Sequence, residues 1–362
     1  MGCSQFSRTE RCDPNARQAV GACRCSRWHT SSRYDWPVAN GAFDAHFYSA
    51  LKSGKLGSVF PVSRMHRSCV KQSTIILMNM IPEIRPGQSV DLLKELHILT
   101  RDGKMNQDSR RKLKQVYHLY QFIEPLLLEA RQDHAGVQLV DHGAGKSYLG
   151  FILYDLFFKA LHDASHIYGI ETRDELVVKS QNLAQKLGFS HMSFLNLSVA
   201  ASVFSERIPS RVDIVTALHA CDTATDDAID FALQKQARFI VLVPCCQAEV
   251  AGVLRKNKAQ ALSHSALAEM WRHPIQTREF GSLTTNVLRC LQLEAHGYHV
   301  NVTELVGWEH SMKNELIVAS YQDLPRKRPA ERLCEMLKIL GLEELQPRFF
   351  TPSPSPLPCG AG

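Results

Sequence analysis

From residue 137 to residue 244 the chain alternates short apolar runs with helical patterns, and that alternation leaves few folds open to it. The runs are VQLVD (137–141), HIYGIE (166–171), MSFLNL (192–197), VDIVTAL (212–218) and RFIVLVP (238–244). Between them lie the helical patterns SYLGFILYDLFFKAL (147–161), RDELVVKSQNLAQKLG (173–188) and TDDAIDFALQKQ (225–236). Strands of this kind, each followed by a helix, predict an α/β fold with a parallel sheet covered on both faces. A further helix, LTTNVLRCLQLEAHG (283–297), precedes two runs, YHVNVTELV (298–306) and NELIVASYQ (314–322). Their short link makes them an antiparallel pair at the sheet edge.

The rest of the chain is organised around that sheet. Residues 1–72 mix Arg, Ser, Gly, Cys and Trp without periodicity and are expected to form a disordered basic extension. Residues 73–131 read as a helical N-terminal cover, 132–322 as the sheet domain, 323–346 as an amphipathic helix and 347–362 as a Pro/Ser tail. The first 80 residues hold 11 Lys/Arg against 4 Asp/Glu, while the remainder holds 31 against 32. The basic excess therefore belongs to the extension, which weakens any reading of the sheet domain as a strongly basic nucleic-acid cradle.

Eleven cysteines without a repeated C-x-x-C spacing argue against a zinc ribbon or an even disulfide framework, so no metal is expected. No apolar run reaches membrane-spanning length, so no membrane partner is expected either. A cytoplasmic location follows from the cysteines, with a mitochondrial alternative from the Arg-rich N-terminus.

The strand-end loops carry the chemistry, because open parallel sheets bind ligands beyond the carboxyl ends of their strands. LVDHGAGKSYLG (139–150) contains Gly145-Lys146-Ser147, the close of a phosphate-gripping P-loop, but the first glycine of that motif falls at Val140 and the P-loop reading fails. What remains is Asp141, then a turn of Gly143, Ala144, Gly145 and Lys146. Glu171 ends the second strand and Asn196 the third. An acid beside a glycine turn repels a pyrophosphate and attracts a cationic amino-acid group. A second acid suits a ribose diol, and an amide suits an adenine edge. Together they describe S-adenosylmethionine rather than a dinucleotide.

The segments LVDHGAGKSYLG, GIETRDELV (169–177), LHACDTATDDAI (218–229), VLVPCCQ (241–247) and EHSMKNELI (309–317) resemble the class I methyltransferases, specifically the type-32 methyltransferase domain family and the related tRNA ribose methyltransferases. The resemblance extends over roughly residues 85–322. It implies a Rossmann-like seven-stranded methyltransferase sheet with an antiparallel closing hairpin, preceded by a small helical segment. It also implies an S-adenosylmethionine-dependent methyltransferase whose acceptor is tRNA or rRNA. A protein or small-molecule acceptor, a non-catalytic cofactor-binding module and a nucleotide-dependent enzyme are the alternatives. One departure is Lys146-Ser147, where relatives tend to carry Lys-Gly.

The loops after the fourth and fifth strands are expected to face the acceptor. His219 is a candidate general base, or a histidine that holds its loop; it also borders the cofactor. Asp222 is a catalytic candidate or the cap of the helix that follows it. Cys245 is a candidate nucleophile or a packing residue. Arg110, Arg111 and Lys114, crowded into the first turns of the helix predicted over 106–130, and Lys313 before the last strand are candidate contacts to phosphate.

Overall fold

The computed structural model describes residues 83–133, 136–218, 221–245, 247–257, 269–270, 272–305, 315–323 and 327–350. All belong to the unit Met80–Gly362. The expected extension over residues 1–72 and the end of the chain after residue 350 lie outside the described residues, as do His219, His310 and Lys313.

Seven strands form one sheet. They are β1 (Gln138–His142), β2 (His166–Glu171), β3 (Met192–Asn196), β4 (Ile214–Ala217), β5 (Phe239–Leu242), β6 (Tyr298–Glu304) and β7 (Glu315–Tyr321). Their order across the sheet is β3-β2-β1-β4-β5-β7-β6. The first five are parallel, and β7 is antiparallel to both β5 and β6. Strand order reverses between β1 and β4, which opens a crevice at their carboxyl ends. The register places Asp141 beside Thr216 across β1 and β4, and Glu171 beside Asn196 across β2 and β3. Asp141, Glu171 and Asn196, singled out in the sequence, therefore share the carboxyl end of the sheet.

On one face pack α1 (Val90–Glu95), α2 (Gln107–Asp133), α3 (Tyr148–Leu156) and α4 (Asp174–Leu187). Leu113, Ile123 and Leu127 of α2 recur at helical spacing and are buried with Phe151, Leu139 and Ile167, so the helical cover is part of the main core. The exposed stripe of α2 carries the cations. Arg110 pairs with Glu83 at 3.0 Å and Arg111 lies 3.8 Å from Asp108, so two of the expected phosphate contacts already have carboxylate partners. Lys114 is exposed.

The opposite face is covered by α5 (Val199–Ser202), α6 (Thr223–Gln234) and α8 (Pro274–Ala295), with Ile229, Phe231 and Leu293 buried against Val140, Val215 and Ile240. A third cluster joins α7 (Glu249–Lys256) and α8 to α9 (Lys327–Ile339) and α10 (Gln346–Phe349) through Val250, Leu288, Leu333 and Phe349. Burial of Phe349 and Phe350 carries the packed part of the chain past residue 346, into what the Pro/Ser composition assigns to the tail.

Helix boundaries shift where polar residues mask them. The helix expected over 283–297 begins at Pro274, where His273 and Gln276 form a reciprocal capping box. The pattern over 147–161 stops at Leu156 and continues as a single 3-10 turn, Phe158–Ala160.

Candidate active site

The glycine turn after β1 is held by backbone groups. Ala144 N–H donates to Ile170 O at 3.0 Å, and Ser147 N–H to Ala144 O at 2.7 Å. Gly143 and Gly145 sit at φ 63° and 60°, a region that glycine enters without steric cost. Ser147 follows at φ 51°, and its buried hydroxyl has no hydrogen-bond partner. The family departure at this position thus puts a side chain where the backbone favours glycine. Lys146 points to solvent.

Asp141 is 3% exposed, and its Oδ1 accepts a 2.6 Å hydrogen bond from Thr216 Oγ1. Burial pushes its carboxyl up to about 7, and the Thr216 hydroxyl opposes that only in part. A buried carboxylate in this state gains from an approaching cation, which is the fit expected of a site for the amino-acid end of S-adenosylmethionine. His142, the next residue, points to the opposite face of β1 against Phe231, with ring centroids 4.5 Å apart. Burial lowers its imidazole to about 3, so the ring is neutral.

Glu171 is more heavily engaged than its place at a strand tip suggests. Its Oε2 accepts from Gly145 N–H at 2.9 Å and from Arg173 Nη2 at 3.1 Å. Its Oε1 accepts from Arg173 N–H at 3.1 Å and Arg173 Nε at 3.0 Å. Burial would raise this carboxyl, but the Arg173 and Gly145 hydrogen bonds and the Arg173 charge together lower it to about 2. A carboxylate offers about four acceptor positions, and all four are taken. A ligand hydroxyl could bond to Glu171 only by displacing one of these donors, of which the Arg173 side chain is the exposed one. Asn196 donates from Nδ2 to Asp174 Oδ1 at 3.0 Å and is exposed.

The loops after β4 and β5 are fastened to each other. Asp222 stands at the N-cap position of α6, at φ 53°, but makes no side-chain cap there. Its Oδ1 instead accepts from Ala248 N–H at 2.9 Å and Glu249 N–H at 3.3 Å, capping the start of α7. The expected cap of its own helix is thus corrected: the positive φ swings the side chain across to the neighbouring helix. The backbone oxygen of Asp222 accepts from Arg289 Nη2 at 2.9 Å. Arg289 is fully buried and forks onto Asp226, at 2.7 Å from Oδ1 and 2.9 Å from Oδ2. Cys245 Sγ lies 3.1 Å from Cys221 Sγ.

Beside these loops is a cavity of about 540 Å3, lined by Pro244, Gln247, Asn286, Glu279, Glu304 and Glu315. Its floor is a chain of hydrogen bonds. Gln247 Nε2 donates to Asn286 Oδ1 at 2.5 Å, Asn286 Nδ2 donates to Glu315, and Ser282 donates to Gln247 Oε1. The cavity lies over β5, β7 and β6, whereas the glycine turn and Glu171 lie over β1 and β2. The carboxyl end of the sheet thus carries two separate polar regions.

Four of these residues escape sequence reasoning: Thr216, Arg173, Asp226 and Arg289. Thr216 is the polar residue of an otherwise apolar strand and Arg289 the charged residue of an apolar helix face, and each interruption is a signal that a buried polar partner must exist. Arg173 carries no such mark. Among the described residues no group of three or more His, Cys, Asp and Glu is arranged to hold a metal ion, and no helix is long and apolar enough to cross a membrane.

Five parallel strands closed by an antiparallel pair in the order β3-β2-β1-β4-β5-β7-β6, with a glycine turn after β1 and an acid ending β2, form a Rossmann-like sheet of the kind found in class I methyltransferases. S-adenosylmethionine is the cofactor of that class. More particularly, residues 111–253 match the type-32 methyltransferase domain. The glutathione S-transferase C-terminal domain-containing protein of Mus musculus is 24% identical over 236 residues, covering 60% of this chain and 34% of that one. Its Xenopus laevis counterpart is 22% identical over 239 residues, covering 60% and 36%. The chain spans about a third of the length of these curated relatives. Among solved structures, the S-adenosylhomocysteine-bound Podospora anserina methyltransferase is 13% identical, with a TM-score of 0.37, and the alignment covers 74% of this chain and all of that one.

Proposed function

We propose that this protein transfers the methyl group of S-adenosylmethionine to RNA, with tRNA or rRNA as the acceptor. The observation that carries the methyl-transfer reading is the pair of carboxylates, Asp141 and Glu171, at the tips of adjacent strands on either side of the glycine turn. They favour a cationic, sugar-bearing donor and disfavour a polyphosphate. The donor when bound supplies an electrophilic methyl on a sulfonium. The protein's part is to align that methyl with a nucleophile, and alignment accounts for much of the acceleration in such reactions.

Asp141 faces the amino-acid group, Glu171 the ribose once Arg173 has moved, Asn196 the adenine, and the turn Gly143, Ala144, Gly145 and Lys146 the space between. At the acceptor end His219 is the proposed base for the proton that an O–H or N–H acceptor must release, and Cys245 borders the acceptor. Asp222 acts as a positioning residue, since its carboxylate is engaged in joining the two loops.

RNA is supported by the resemblance to tRNA ribose methyltransferases and by the exposed Lys114 on α2, with Lys313 a further proposed phosphate contact and Arg110 and Arg111 available to phosphate only by exchange from Glu83 and Asp108. The carboxylates Glu279, Glu304 and Glu315 around the cavity favour an acceptor group that is neutral or cationic, so a sugar or base rather than a phosphate would enter it. The same carboxylates favour a second reading, a protein or small molecule that presents an amine. Transfer of tritium from labelled S-adenosylmethionine into fractionated RNA, protein and metabolites decides between them. Label in RNA supports the proposal, and label confined to another fraction removes it.

A further inference from the structure

Cys221 and Cys245 lie just beyond the ends of the adjacent parallel strands β4 and β5, whose last residues Ala217 and Leu242 are register partners. Their sulfurs are 3.1 Å apart, and neither residue is in a disulfide. Cys221 is exposed and Cys245 half-buried, so a small solute can reach the pair. The loops that carry them are held together independently of sulfur. Val243 N–H donates to Ala217 O at 3.0 Å, and Asp222, next to Cys221, receives the Ala248 and Glu249 N–H groups beyond Cys245. Closing a disulfide at about 2.05 Å therefore needs the sulfurs to approach by only about 1 Å, within loops already fixed in register. That restraint gives each thiol a high effective concentration toward the other, the condition under which a singly oxidised cysteine is captured by its neighbour before it is oxidised further. Cys290, by contrast, is pushed up to about 12 by burial and by Glu315 and Glu294, and lies on α8.

We propose that Cys221 and Cys245 form a reversible dithiol–disulfide pair that responds to hydroperoxides. One thiolate attacks the peroxide, taking one oxygen as a sulfenic acid while the other oxygen leaves as hydroxide and is protonated to water. The second thiolate then attacks the sulfenic sulfur, the S–S bond forms, and the sulfenic oxygen leaves as a second water. In total two thiols and one hydrogen peroxide give one disulfide and two waters. A dithiol reductant restores both thiols by exchange, becoming a disulfide itself. The crosslink staples together the two loops at the acceptor end and leaves the residues around Asp141 and Glu171 untouched. Its formation does not depend on the identity of the acceptor or on methyl transfer.

The experiment is peptide mapping of the full chain. The protein is treated with stoichiometric hydrogen peroxide, remaining thiols are blocked with N-ethylmaleimide, and the non-reduced tryptic digest is analysed by mass spectrometry. The expected result is loss of both alkylatable thiols together with a crosslinked pair of peptides containing Cys221 and Cys245. The pair should disappear on dithiothreitol treatment, and Cys290 should stay alkylatable. In Cys246→Ser the crosslink persists, and in Cys245→Ser it is lost. The wild-type map alone also tests the proposal if a variant does not fold. Sulfinic acid at Cys221 without a crosslink, full alkylation of both thiols after peroxide, or a crosslink that survives Cys245→Ser would overturn it. Calorimetry with S-adenosylmethionine on the reduced protein is a separate readout, so failure of the methyltransferase reading and failure of this one are distinguishable.

Discussion

Arg173 grips Glu171 as a fork, with Nε 3.0 Å from one carboxylate oxygen and Nη2 3.1 Å from the other. The arginine side chain is 61% exposed, so the ion pair is solvent-screened and can be exchanged for a ligand. In the proposed complex its guanidinium would compete with the ribose for the same oxygens and add a positive charge near the cationic donor. Arg173→Ala is expected to tighten S-adenosylmethionine by roughly twofold to fivefold, the range open to a screened pair. Calorimetric titration of the two proteins side by side checks this; weaker binding by Arg173→Ala would mean that the arginine holds the cofactor rather than competing with it.

Asp141 makes a prediction in pH. Burial raises its carboxyl from the ordinary 3.8 to about 7, so between those values the folded chain binds more protons at this site than the unfolded one. Stability from this group is therefore present in acid and is lost as pH rises toward 7. Asp141→Asn keeps an acceptor for the Thr216 hydroxyl and removes the buried charge. Without cofactor it should be more stable than the wild type at pH 8, by on the order of 4 kcal/mol, and no more stable at pH 4. Urea unfolding at the two pH values measures the difference. The same substitution should weaken S-adenosylmethionine binding, the opposite sign from its effect on the fold.

Ser147 occupies a left-handed backbone position, and a Cβ placed on Gly150 would come within 2.4 Å of its hydroxyl oxygen, which shows how closely the two residues pack. Ser147→Gly relieves the backbone strain and removes a buried hydroxyl without a partner. It should raise stability by about 1 kcal/mol, the gain being limited by the greater freedom of glycine in the unfolded chain. A thermal melt that falls by several degrees would show that the hydroxyl has a structural use.

The Arg289–Asp226 pair predicts non-additivity. Arg289→Leu strands a buried carboxylate and frees the Asp222 carbonyl, for a loss of about 3–5 kcal/mol. Adding Asp226→Leu should restore part of that loss. A double-mutant cycle in denaturant measures the coupling, and strict additivity would contradict it.

The sheet was legible because five buried parallel strands print themselves as apolar runs, and because successive acids and glycines fall at their carboxyl ends. Asp141, Gly145, Glu171 and Asn196 are brought to one edge as that pattern requires. The partners that complete the site were less legible, because each arrives through register or a turn. Thr216 meets Asp141 only once β4 is set beside β1, and Arg173 meets Glu171 through a turn that periodicity does not reveal. Asp222 reads locally as a helix cap and becomes the cap of a different helix through one positive φ. The polar start of α8 hid its first turns, since the buried positions there are Thr277 and Gly281, which print no apolar stripe.

The most direct test is calorimetric titration of the purified full chain with S-adenosylmethionine and, in parallel, with ATP. The account predicts binding of the former, no detectable binding of the latter, and at least a tenfold weakening, about 1.4 kcal/mol, in Glu171→Ala. Equal affinity for ATP, or an affinity for S-adenosylmethionine indifferent to Glu171→Ala, would contradict it.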